Sequence, residues 1–205
     1  MEIVTNILYW ISTALLLPVT LGLVLLFARS LFYLGEMYSA YSEYRKNKKD
    51  LFPALNEIIV EDEKLSALKL KVGETKGQLP EAVVKLLSFK ESFVRREKVL
   101  SDYELISEKR ISIPKSLAKL GPTLGLMGTL IPMGPALVGL STGDIASMAH
   151  NMQVAFATTV VGLIIGAIGF VCLQARQRWT MEELSQLEFI HELIKEEDEK
   201  KKVYQ

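Results

Sequence analysis

Apolar and charged positions along this chain are segregated into long blocks instead of alternating every few residues. Residues 7–28, 120–143 and 151–175 contain no Asp, Glu, Lys or Arg, whereas the stretches between and after them are dense in charge. Each charge-free block reaches the roughly 20 residues needed for a helix to cross about 30 Å of hydrocarbon. A soluble core helix could account for one such block, but three in one small chain predict a polytopic membrane protein. The pattern therefore divides the chain into an outer amino end (1–6), a first span (7–28), a cytoplasmic region (29–112), a second span (113–140), an outer connection (141–150), a third span (151–175) and a cytoplasmic tail (176–205). The fold class expected is all-α: three transmembrane helices with long cytoplasmic helical extensions.

The placement of basic residues predicts the orientation. All 24 Lys and Arg lie within 29–119 or 176–202, and basic loops stay on the cytoplasmic side. The amino end and the 141–150 connection are expected outside, the carboxyl end inside, in the cell (cytoplasmic) membrane. Before the first span Glu2 is the only charge, so the basic n-region of a signal peptide is missing. No small-x-small cleavage site precedes Arg29, which reads as a retained anchor. Tyr9 and Trp10 suit the outer interface; Phe32, Tyr33 and Trp179 suit the inner one, with Arg176 and Arg178 reaching the phosphates.

In the cytoplasmic region, residues 29–49 read as an extension of the first helix. Leu51, Leu55, Ile58 and Ile59 make a short amphipathic segment, and Lys71–Gln78, with Gly73 and Gly77, reads as a linker. Pro80 and Glu81 form a good helix start, and nothing obvious breaks the helix before Ile111, a rod of about 48 Å if continuous. Its stripe of Leu86, Phe89, Phe93, Leu100 and Tyr103 needs a partner helix, from the same chain or from a neighbouring copy. In the tail, Leu184, Leu187, Ile190, His191 and Ile194 recur at helical spacing, and the mixed charges of 196–202 read as a solvated, frayed end.

The second and third spans are unusually rich in small residues. The second carries Gly121, Gly125, Gly128, Gly134 and Gly139 with Pro122, Pro132 and Pro135; the third has a stripe of Ala155, Thr159, Gly162, Gly166 and Gly169. Small residues let helix backbones approach closely in lipid, where the hydrophobic effect cannot drive association. The prolines deprive backbone carbonyls of their donors, so Pro132 and Pro135 are expected to bend or loosen the outer half. Among these small residues sit three hydroxyls, Thr129, Thr158 and Thr159. Two readings stand for them: each bonds back to its own helix, or together they line a polar path between the two helices.

Composition narrows the chemistry. Formal net charge is zero, giving no reason to expect nucleic acid, and the single Cys172 excludes an internal disulfide and any multi-cysteine metal site. No nucleophile–base pair, phosphate loop or metal-ligand spacing is present, so neither an enzyme nor a cofactor is expected. No charged side chain and no His lies inside the three blocks, whereas ion-handling membrane proteins keep such groups at a cost of roughly 2.5–3.5 kcal/mol each. Asp144 and His150 read as solvated residues of the outer connection. If protons cross here, the titratable group must come from another chain.

The Gly-Pro at 121–122, Gly-Leu-Met-Gly-Thr at 125–129 and Ala-Thr-Thr-Val-Val-Gly-Leu at 157–163 resemble the MotA/TolQ/ExbB proton-channel family, on its ExbB/TolQ side. The resemblance implies a homopentamer whose second and third helices surround the membrane helices of an ExbD-, TolR- or MotB-like single-span partner. An aspartate on that partner would carry protons past Thr129 and Thr159, and the assembly would act as the stator of a motor driven by proton-motive force, in ExbB-like relatives serving protein transport. Two departures stand out. Gln153, Val154 and Ala157 occupy the neighbourhood where many members have an acid, and Pro132 and Pro135 exceed the usual proline content. The alternative expectation is a non-conducting oligomeric membrane scaffold whose cytoplasmic helices recruit partners.

Overall fold

The computed structural model describes residues 2–56 and 77–203, and every element among them is helical. They form α1 (Glu2–Asn56), α2 (Gln78–Ser88), α3 (Phe93–Thr142) and α4 (Ile145–Val203). Of the expected features, Ile58, Ile59 and the linker residues 71–76 lie outside the described residues. Three helices, α1, α3 and α4, are long and apolar enough to cross a membrane. The protein is thus a polytopic, all-α membrane protein. Its described residues group into two compact units, one drawn from 1–36 and 112–174, the other from 37–111 and 175–205.

The first unit contains the apolar stretches. Here α1 buries Val19, Leu23 and Tyr33. Its Gly22 faces Leu124 of α3, and its Tyr9 ring lies against Gly134. On α3 and α4 the buried positions are mostly small, whereas Leu126, Leu130, Leu137, Phe156, Val160 and Leu163 are exposed. This is the reverse of a soluble bundle and is what a helix pair in lipid requires: backbone contact inside, large apolar side chains outside.

The turn between α3 and α4 is much tighter than the ten-residue connection expected from sequence. Gly143, at φ 76°, ends α3; its N–H bonds to the Leu140 carbonyl, and the Asp144 N–H reaches the Gly139 carbonyl at 2.8 Å. These are the two bonds of a Schellman cap, which needs a residue that tolerates positive φ. Asp144 then starts α4 by accepting the Ser147 N–H at 3.0 Å, the standard role of an N-cap carboxylate. Residues Ser141, Thr142 and Ile145 to His150 are therefore helical, and Asp144 is a capping residue, not merely a solvated one.

The second unit has a conventional apolar core. Leu79, Val83, Leu86 and Leu87 of α2 meet Val99 and Tyr103 of α3 and Leu187, Ile190 and Ile194 of α4. The stripe that needed a partner finds it within the same chain, in the tail of α4. The single rod expected from Pro80 to Ile111 is not what forms, because α2 ends at Ser88 and α3 begins at Phe93. No Gly or Pro marks this corner; packing imposes it. Folding back lets α2 bury its apolar face on α3 and α4, and the fully buried Arg96 closes the corner by donating to the Lys90 carbonyl. Arg96 also holds Asp198 at 3.1 Å, and α4 remains helical through the mixed-charge run to Val203.

Beside this core, Glu182 of α4 accepts hydrogen bonds from Tyr44 and, at 2.6 Å, from Lys48, both on α1. Those two bonds, the Lys48 one foremost, hold the Glu182 carboxyl down at about 2. Trp179 stacks on Tyr44 at 5.0 Å between ring centres, completing the clasp between α1 and α4.

Candidate functional site

The site singled out by sequence is the seam between α3 and α4 in the first unit. Its geometry follows from missing side chains. A Cβ on Gly162 would lie 2.6 Å from the Gly121 carbonyl oxygen and 2.7 Å from the Gly125 Cα. One on Gly121 would meet the Gly162 carbonyl and the Gly166 nitrogen, both at 2.8 Å. Gly166 rests on the Pro122 ring, Gly169 against Leu117, and buried Ala155 extends the line toward the turn. The helices thus run backbone against backbone over several turns, as glycine stripes allow.

The threonines divide between the two edges of this seam. Gly128 faces the Thr158 side chain: a Cβ there would lie 2.6 Å from both the Thr158 Cβ and Oγ1. Thr158 is thus a knob seated in the gap left by Gly128. At about 100° per residue, Thr129 sits one turn beyond Gly125 and Thr159 one turn beyond Ala155, and in an antiparallel pair these positions fall on the opposite edge from Gly128 and Thr158. All three threonines are partly buried.

Each hydroxyl donates to a carbonyl of its own helix. Thr129 bonds to Leu126 at 2.7 Å, Thr158 to Val154 and Ala155 at 3.0 and 2.9 Å, and Thr159 to Ala155 at 3.1 Å. Such bonds use the proton and leave oxygen lone pairs available, so each hydroxyl presents an acceptor and turns donor only by rotating about χ1.

The prolines add a polar feature that the threonines alone do not reveal. α3 is helical from Phe93 to Thr142 through Pro114, Pro122, Pro132 and Pro135. Pro132 has no N–H to offer the Gly128 carbonyl. That carbonyl stands at the level of Thr129 and Thr158, so this part of the seam carries a backbone dipole lacking its usual i+4 donor, together with the hydroxyls. The sequence showed that the prolines deprive carbonyls of donors; that the Gly128 carbonyl is the one beside Thr158 follows only from the packing of Gly128 on Thr158. Among the described residues no cluster of His, Cys, Asp or Glu could hold a metal ion.

The seam is thus a helix pair joined by a tight turn, packed backbone to backbone and carrying hydroxyls but no acid in its charge-free runs. Residues 90–188, which hold both seam helices, match the model of the MotA/TolQ/ExbB proton channel family. Over these residues, just under half of its length, the chain is similar to that family. It matches no curated protein and no solved structure at a significant level.

Proposed function

We propose that this chain is the ExbB/TolQ-like stator subunit of a proton-driven membrane motor, working as a homo-oligomer, a pentamer by family analogy, around a single-span partner that brings a membrane aspartate. The observation that carries the reading is the chemistry of the seam. It has three acceptor hydroxyls and a backbone carbonyl without its i+4 donor at one depth, and no Asp, Glu, Lys, Arg or His in the same charge-free runs. Such a wall accepts a hydrogen bond from a protonated visiting carboxyl and, by hydroxyl rotation, donates one to the ionised form. It stabilises both states without storing a proton itself.

The basic residues flanking the spans support an outside amino end and an inside carboxyl end, which places the second unit in the cytoplasm. The membrane potential then acts on each proton with about 2.3 kcal/mol per 100 mV, a driving force sufficient to bias a step between subunits. In this reading the role is transport coupled to mechanical work.

Thr159→Val tests the assignment, since valine matches threonine in shape and the lost hydrogen bond is local. The expected result is an assembly of unchanged size whose proton-coupled output is impaired. Full output at normal expression contradicts the role given to Thr159.

A further inference from the structure

Within the second unit, charged and polar side chains from three helices surround a small cavity. Glu43 comes from α1, Ser107 and Arg110 from α3, and Arg176, Trp179 and Glu183 from α4. Its volume is about 20 Å³, room for one water molecule. The Arg176 Nε beside it is buried and has no hydrogen-bond partner among the described residues, and an orphaned donor next to a water-sized polar cavity marks a water site. Glu183 is held from behind by the Tyr103 hydroxyl, which donates to it at 2.6 Å. Two carboxylates face two guanidinium groups here, so the cluster is near neutrality and offers little to a bound anion or metal cation.

We propose that Glu183 is a proton relay station on the cytoplasmic side of the third span, exchanging protons with water in this cavity. On uptake an O–H bond of a hydronium ion breaks and one forms at a Glu183 oxygen; on release the same bond returns its proton to water. The groups facing Glu183 set its poise. Burial raises its pKa above the ordinary carboxyl value and Glu43 adds to that, while the Tyr103 hydrogen bond, Arg110 and Arg176 pull it down without cancelling the rise. Tyr103 keeps its proton throughout, because burial and the Glu183 charge push its ionisation far above the physiological range.

This inference rests on the proton-channel reading, and two experiments separate the fates of the two. First, an infrared pH titration of the full chain in detergent follows the carbonyl stretch of protonated carboxylic acids. A band titrating above the usual carboxyl range is expected, absent in Glu183→Gln and shifted to higher pH in Tyr103→Phe, which removes a bond favouring the ionised form. A band retained in Glu183→Gln, or none in the wild type, overturns the station; should Glu183→Gln not fold, the Tyr103→Phe shift alone decides. Second, proton flux is measured with a pH-sensitive dye in vesicles containing the chain and its membrane-aspartate partner. Glu183→Gln is expected to slow flux severalfold and flatten its dependence on internal pH. A conducting wild type equalled by Glu183→Gln overturns the station alone. A wild-type assembly that passes no protons overturns the channel reading and this inference with it.

Discussion

Gly128 and Thr158 fit one another as gap and knob: the Thr158 Cβ and Oγ1 occupy the space where a Gly128 side chain would begin, each 2.6 Å from that position. The same helices meet at Gly121 and Gly162 with nothing but backbone between them. These two contacts differ in kind, and they should respond differently to the same substitution.

At Gly162 a methyl group would press on the Gly121 carbonyl, which belongs to a helix and cannot yield locally. Gly162→Ala should therefore force the helices apart at a cost of about 1–3 kcal/mol. The expected readout is a lowered thermal midpoint in detergent with loss of the assembled species on size-exclusion chromatography. At Gly128 the obstacle is a side chain. Gly128→Ala should destabilise too, but Thr158→Gly in the same chain should restore part of the loss, whereas Thr158→Gly should give no rescue to Gly162→Ala.

Arg96 is fully buried at the corner between α2 and α3, where it serves both the Lys90 carbonyl and Asp198. Removing one partner of a buried charged pair costs roughly 3–5 kcal/mol. Because Asp198 is itself partly exposed, the lower end applies, and Arg96→Ala should destabilise by about 3 kcal/mol. The effect should appear as early protease cleavage around residues 88–93 and in the tail after Ile194. Asp198→Asn should cost less, since the Lys90 carbonyl still receives its bond.

The Glu182 clasp has a pH signature. Its carboxyl titrates at about 2 in the folded chain because of Lys48 and Tyr44, below the ordinary value. A depressed acid contributes stability that is fully present above its unfolded pKa and disappears as pH falls through the folded one. Thermal stability attributable to the clasp should hold at neutral pH and decline from about pH 4.5 toward 2. Glu182→Gln should lower the neutral-pH midpoint and remove that part of the acid dependence.

The three spans were legible because each must cross the bilayer as an apolar helix and so leaves a charge-free block. The tail stripe at Leu187, Ile190 and Ile194 was legible for the analogous reason in water, through 3.6-residue periodicity; its partner on α2 and α3 was not, since periodicity says only that a face must be covered. The corner at 89–92 was invisible because it carries no breaker and is decided by burial of α2 and by Arg96. The tight turn was misjudged from its length of polar sequence, although Gly143 followed by Asp144 encodes a C-cap and an N-cap in succession. At the seam, the glycines announced close approach, but only coordinates reveal that Thr158 seats on Gly128.

Proton flux under an imposed membrane potential is the most direct measurement of what this subunit contributes. Vesicles holding the chain alone are compared with vesicles that also hold the proposed single-span partner, intact or with its membrane aspartate changed to asparagine. The account predicts conduction only when the intact aspartate is present. Equal conduction by the chain alone would contradict it, since the walls of α3 and α4 would then be carrying protons without any acid to bind them.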